Sequence, residues 1–320
     1  MKLLSLFGAI LLLFTSAYAQ RTRQERLDSL DNARLERLYG EQNRGKRLNA
    51  LYNDPFVYPT VSAVLLPKGF VEINNAAGLL TANRIFTDEA RREDLNARAT
   101  NFSHLLQLTY GVSAESRFNI GVDLLYSAYR LDLDPTTSPW KVFSPDSALS
   151  RDGGLSTVGL RFRLKPRPQN RHLVLQGGVY MPVRRVASSQ TSARLQAIYV
   201  FELSKTLFLY AQGGVVYALP KQSLSSVVSV PAAVIVQYQI RNGQQRPSPF
   251  GVLGVVGNNL ILTLPENGTT GQTRFGTELG GGAQYQPSLR FGLTGFYTRY
   301  VLGRNSAAYN TVNVAIRVII

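Results

Sequence analysis

From about residue 67 to the C-terminus, apolar and polar positions alternate with period two. Phe102, Leu106, Leu108, Tyr110 and Val112 interleave with Ser103, Gln107, Thr109 and Gly111. Phe118, Ile120, Val122, Leu124 and Tyr126 interleave with Asn119, Gly121, Asp123 and Ser127, and Val312, Val314, Ile316, Val318 and Ile320 with Thr311, Asn313, Ala315 and Arg317. Successive side chains of a strand point to opposite faces, so each stretch predicts a strand with one apolar and one polar face. The alternation runs for about ten residues, the length a tilted strand needs to cross a bilayer. About twelve such segments begin near Gly69, Asn101, Arg117, Ser156, His172, Arg194, Thr206, Val230, Phe250, Arg274, Leu289 and Ala308.

Connection lengths alternate as well. Residues 113–116, 166–170, 204–205, 241–249 and 286–288 read as short turns. The other set is mostly longer: 81–100, 131–155, 183–193, 219–229 and 258–273, with a shorter one at 302–307. Outer-membrane barrels have this rhythm of short periplasmic turns and longer outer loops. Aromatics gather at both strand ends. Tyr110, Phe118, Phe162, Phe201, Phe208, Tyr238, Phe250, Tyr285 and Phe291 lie near short turns, and Tyr126, Tyr217, Tyr297, Tyr300 and Tyr309 near long loops. Two such girdles suit a membrane wall, whereas a soluble sandwich needs neither them nor the loop rhythm. The expected fold class is therefore all-β: a closed antiparallel transmembrane β-barrel of about twelve strands. An even strand count puts both termini at the short-turn, periplasmic end.

The first 66 residues differ. Lys2, an apolar stretch over 3–14, and Ala17 and Ala19 before Gln20 read as a signal peptide over 1–19. Residues 20–66 form an Arg-rich periplasmic segment and linker, in which Leu27, Leu30, Leu35 and Leu38 outline one short helix or a solvated disordered tail. The barrel takes 67–320. After residue 19 no apolar run approaches the ~18 residues of a membrane helix, so only a closed barrel could satisfy the backbone within lipid.

Composition narrows the chemistry. The 320 residues contain no Cys and two His, which excludes disulfides, thiolate metal sites and cysteine nucleophiles and leaves no metal or cofactor site to expect. His104 and His172 have no Ser or carboxylate at strand spacing, so no hydrolytic constellation appears and a non-enzyme is expected. Gly177-Gly178, Gly213-Gly214 and Gly280-Gly281-Gly282 sit inside strand patterns and read as sites of bending, not phosphate loops. The formal charge of +15 is scattered, with no basic groove interleaved with aromatics, so nucleic acid is not an expected partner.

The run from Leu108 to Val122 (LTYGVSAESRFNIGV) resembles the strand–turn–strand unit of bacterial outer-membrane barrels. It is most similar to the phenol-degradation-pathway (MetA-type) transporter group and related Bacteroidetes barrels. Leu66-Pro-Lys-Gly-Phe-Val-Glu72 resembles the start of that group's first strand, and residues 310–320 the terminal strand read by barrel-assembly machinery, with Ile320 in place of the usual aromatic. The resemblance implies a passive or accessory outer-membrane barrel with lipid and the assembly machinery as partners. It leaves the oligomeric state open.

The leading functional expectation is a channel for passive diffusion of small polar solutes, with anions as a candidate class. Strand parity assigns to the lumen Glu72, Gln107, Thr109, Asn119, Asp123, Arg161, Arg163, Gln176, Arg194, Gln196, Gln237, Glu278, Gln284, Arg290 and Arg317. Asp123 and Arg161 are placed at similar heights, Glu72 is expected to meet Arg317 across the closing seam, and Arg161, Arg163 and Arg194, with Arg184 and Arg185 above, form a basic wall. The competing reading is a structural or partner-binding barrel with a plugged lumen. A membrane-embedded hydrolase ranks third.

Overall fold

The computed structural model describes residues 65–113, 116–146, 148–166, 172–183, 190–219, 225–241, 247–264, 271–288 and 290–320. The expected leader, the Leu27–Leu38 stripe, and Arg184 and Arg185 lie outside the described residues. The wall is made of twelve long strands: β1 (Val71–Phe86), β2 (Arg92–Gly111), β3 (Phe118–Asp132), β4 (Ser150–Leu164), β5 (Leu173–Pro182), β6 (Ser192–Glu202), β7 (Leu207–Ala218), β8 (Val227–Arg241), β9 (Pro247–Thr263), β10 (Gln272–Ser288), β11 (Phe291–Arg304) and β13 (Asn310–Ile319). A two-residue strand, β12 (Ser306–Ala307), prolongs the last pairing against the far end of β1. Each strand pairs antiparallel with its sequence neighbour, β11 with β13, and β13 with β1 from Glu72↔Ile319 to Thr81↔Asn310. The sheet is a ring without a free edge, so its backbone groups are satisfied within it.

Burial inverts the order of a soluble protein. On β13, Val312, Val314 and Ile316 are 41–48% exposed, while Thr311, Asn313 and Ala315 are 3–4% exposed. The apolar face looks outward and the polar face into the barrel, as the alternation predicts for a wall solvated by lipid. Of the expected girdle aromatics, Tyr110, Phe118, Phe162, Phe201, Tyr238, Phe250 and Phe291 are exposed near the termini's end, and Tyr126, Tyr217 and Tyr297 nearer the other.

Several expectations need correction. Residues 81–100 are not a long loop: β1 and β2 continue to Phe86 and from Arg92, pairing through Thr81↔Thr100, a bulge, and Arg84↔Asp94. This upper hairpin carries a 2.7 Å Arg84–Asp94 ion pair. It stands clear of the apolar belt, where neither strand face needs to be apolar, so the alternation fades before the strand ends. β4 likewise begins at Ser150 and not Ser156. Gln286, Pro287 and Ser288 belong to β10, with a register shift between Tyr285 and Ser288. Pro287 has no N–H to give the ladder, and the irregularity absorbs it. Phe208 shares the inward parity of Gln212. Tyr309 (3% exposed) lies within an apolar cluster with Leu80, Ala99 and Leu131, and Tyr300 packs against it, so neither belongs to the outer girdle.

The Gly280-Gly281-Gly282 run has a packing role. A Cβ on Gly282 would fall 2.1 Å from the Gly295 carbonyl oxygen and 2.5 Å from Phe296 Cβ, while Gly254 on the outer face has nothing within 4 Å. Gly282→Val is therefore expected to lower the temperature at which the folded barrel loses its anomalous gel mobility, and Gly254→Val to leave it unchanged. Equal behaviour of the two would refute this account of the close approach.

Candidate functional site: the barrel interior

Strand register places the inward polar residues of β1–β7 in rungs. One rung runs Asn74, Gln107, Asp123, Gly159, Tyr180. Next to it runs Glu72, Thr109, Gly121, Arg161, Gly178, Arg194. Glycine alternates with long side chains, which lets those chains lie over the neighbouring strand. A Cβ on Gly159 would come within 2.3 Å of the Tyr180 ring, and one on Gly121 within 3.1 Å of Arg161 Nη2. Across these gaps Tyr180 donates its hydroxyl to Asp123 Oδ2 at 2.8 Å, and Arg161 Nη2 donates to Thr109 Oγ1 at 2.8 Å.

Asp123 is the hub. Arg161 Nε donates to both of its oxygens at 2.9 and 3.1 Å, and Gln107 Nε2 donates to Oδ2 at 3.1 Å. Gln107 Oε1 in turn accepts from Asn74 Nδ2 at 3.0 Å. Asp123 is 2% and Arg161 3% exposed, so this pair is removed from water and tightly hydrogen-bonded. A second chain starts at Glu72, which accepts from Arg163 Nη1 at 3.2 Å. Arg163 Nε donates to Gln176 Oε1 at 2.7 Å, Gln176 to Gln196 at 3.3 Å, and Gln196 to Gln212 at 3.0 Å. Arg194 lies over the Tyr180 ring at 4.3 Å, and its Nε has no hydrogen-bond partner among the described residues.

One expectation about charge holds here and one changes. Asp123 and Arg161 pair as expected. Glu72 and Arg317 both face inward on the closing pair, opposite Ile319 and Asn74, and the structure gives Glu72 an ion pair with Arg163 of β4. The carboxylate of β1 reaches past two strands to the wall assigned to bare arginines, so Arg161 and Arg163 are both compensated.

The other half of the interior is unlike this one. Ala233 and Ile235 of β8, Leu253 and Val255 of β9 and Phe296 of β11 form a buried apolar cluster with Tyr210 against it. Glu278 accepts from Thr298 Oγ1 at 2.5 Å. Arg290 is exposed in the turn before β11, at the rim and not in the wall. Of the assigned lumen residues, Glu72, Asp123, Arg161, Arg163, Gln176, Arg194 and Gln196 are brought together. Glu278 and Arg317 sit on β10 and β13, on the inward face.

The chain just before β1 crosses the interior. Leu65 is 2% exposed and packs with Val174 of β5 and Ile198 of β6, on the far side of the ring from β1. Asn119 clamps the next residue: Leu66 N donates to Asn119 Oδ1 and Asn119 Nδ2 to the Leu66 carbonyl, each at 3.0 Å. Gly111 leaves the room for this strap, since a Cβ there would fall 1.9 Å from the Pro67 carbonyl oxygen. Asn74 and Gln212 were also missed in the sequence, although both share parity with assigned neighbours. The strap has no local signal.

The fold is that of the outer-membrane β-barrels. An outer membrane channel from Pseudomonas putida F1 superposes with a TM-score of 0.58 at 16% identity, over 84% of this chain and 100% of that one. The β domain of the Bordetella autotransporter BrkA gives 0.47 at 14% identity over 77% and 98%, and the NanC porin 0.42 at 10% identity over 77% and 98%. No family model matches the sequence, and no curated protein sequence matches it.

Removing one partner of a buried, hydrogen-bonded ion pair leaves a charge without compensation and costs about 3–5 kcal/mol. Asp123→Ala is therefore expected to destabilise the barrel by about that amount, measured by urea unfolding in lipid vesicles. An unchanged midpoint would show that Arg161 is not left as an uncompensated buried charge. Gly159→Val should act on the same hub by displacing Tyr180.

Proposed function

We propose that the protein is an outer-membrane channel for small polar solutes, with both termini in the periplasm. The observation that carries this reading is a closed, lipid-facing ring enclosing an organised polar wall over β1–β7. The fold shared with the Pseudomonas channel supports it. The MetA-type transporter group is the family reading we propose. A signal peptide over 1–19, a periplasmic segment over 20–66 and delivery to the assembly machinery through the last strand belong to the same proposal.

Leu65, Val174 and Ile198 meet across the interior at the termini's end. The same contact favours the second reading, a plugged structural barrel. Single-channel recording separates the two. The intact protein should give a small unitary conductance, and Leu65→Ser should raise it severalfold by loosening the strap. Silence in both proteins would favour the plugged barrel.

Within the β1–β7 wall, Arg194 is the arginine expected to act on selectivity, since Arg161 and Arg163 are matched by Asp123 and Glu72. An apolar cluster opposite a cation lowers the local dielectric and strengthens its field. Mild anion preference is expected, and Arg194→Gln should shift the reversal potential in a salt gradient toward neutrality. Cation preference in the intact protein would reject this.

Orientation is tested by labelling. The chain has no Cys, so single cysteines report cleanly. Glu89→Cys, at the exposed tip between β1 and β2, should react with an impermeant maleimide on intact cells, and Lys205→Cys only after the outer membrane is breached. The reverse pattern would invert the topology.

A further inference from the structure

The connection between β3 and β4 does not rise over the mouth of the barrel. Residues 133–146 turn back and lie against the outward faces of β2 and β3. Two arginines of outward parity hold them there. Arg98 donates Nε and Nη2 to the Pro135 carbonyl at 2.8 and 2.6 Å, and Nη1 to Thr81 Oγ1 at 3.1 Å. Arg130, 2% exposed, is gripped by Asp132 at 2.8 Å and donates Nη1 to the Lys141 carbonyl at 3.2 Å, with the Ser144 and Asp146 carbonyls at 3.5 and 3.4 Å. A guanidinium on the outer face of a membrane wall is costly unless every donor is used. Here the loop carbonyls supply the acceptors.

The start of the loop is also set locally. Asp134 accepts the Thr136 N–H at 2.8 Å and its hydroxyl at 2.7 Å, an Asx turn that aims the chain back down. Those bonds hold the Asp134 carboxyl below its ordinary range. A short 3-10 turn, η1 (Pro139–Phe143), follows, with Val142 buried. Ala128, outward by parity, is 5% exposed beside the seated loop.

What the loop then shows to the outside is apolar. Trp140 is 67%, Phe143 50% and Leu133 45% exposed. Phe143 meets Phe102 of β2 edge-on at 4.7 Å, Trp140 stacks near Phe143 at 6.4 Å, and Phe102 meets Tyr126 at 6.3 Å. This aromatic row is continuous with the lipid-facing belt. Its height follows from strand geometry. From Tyr110 in the lower girdle to Phe102 is about eight residues, or roughly 27 Å along the strand and about 20 Å along the membrane normal at a tilt near 40°. An apolar band about 25 Å tall ends just above that level. Indole and phenyl rings, apolar in body with one polar edge on the indole, suit this boundary between acyl chains and headgroups.

We propose that residues 133–146 are a lateral membrane anchor that seats Trp140 and Phe143 at the acyl–headgroup boundary of the outer leaflet, beside the barrel and not over its mouth. The occupant of this surface is lipid, because the row extends a face that already contacts lipid. It requires no conductance and stands apart from the channel reading.

Trp140 is the single tryptophan of the chain, so its fluorescence reports this loop alone. The full chain is reconstituted in phosphatidylcholine vesicles containing lipids brominated at different acyl depths. The expected result is emission shifted to the blue of the urea-unfolded chain. Quenching should be severalfold stronger from bromines near the headgroup end than from those near the chain terminus. Arg130→Gln should weaken that quenching and raise quenching by aqueous iodide, while the barrel keeps its folded gel mobility. Arg98→Gln is the second variant if Arg130→Gln does not fold. Water-like emission with strong iodide quenching in the unmutated protein would overturn the anchor. So would bromolipid quenching untouched by a folded variant of either arginine. Blue-shifted emission without bromolipid quenching would also overturn it, and would point to a protein partner on this surface.

Discussion

The constraint on which everything else depends is that no backbone N–H or C=O can be left open within lipid. One pairing discharges it for the whole ring, the ladder of β1 with β13 from Glu72↔Ile319 to Thr81↔Asn310. Without that ladder, β1 and β13 would each present an open edge inside the hydrocarbon, where each unsatisfied group costs several kcal/mol. Closure also defines inside and outside, so the period-two alternation becomes one lipid face and one enclosed face.

The enclosed face meets a second constraint. Charges there lie away from bulk water and need partners on the same curved wall, whose strands stand about 4.8 Å apart. Gly121 and Gly159 answer it by opening the wall next to long side chains, so that Arg161 and Tyr180 lie across a strand and converge on Thr109 and Asp123. Opposite them the wall carries an apolar cluster, with Phe296 lying against Gly282 toward Leu253 and Val255. The apolar cluster lowers the local dielectric, which makes charges near it count for more.

Two segments outside the regular ladder shape how the barrel meets its surroundings. The strap at 65–67 enters the interior, gripped by Asn119, and narrows one end. The loop at 133–146 leaves the mouth and is drawn onto the outer wall by Arg98 and Arg130. Both are held by side chains reaching for backbone carbonyls, the groups that loops near a membrane leave unpaired most readily.

Alternation, connection rhythm and girdle aromatics made the twelve-strand ring and its lipid face legible in the sequence, because lipid forces a period-two code onto every strand that touches it. The Asp123–Arg161 pair was legible too, since the alternation puts both on inward positions at similar heights of adjacent strands. The upper hairpin of β1 and β2 was not, because strands in water need no apolar face. The Glu72–Arg163 bridge, the Leu65 strap and the arginine-held loop were decided by tertiary structure alone. Each joins residues that no local period relates: the closed ring brings the first two together across its interior, and the Asx turn at Asp134 folds the third onto the outer wall.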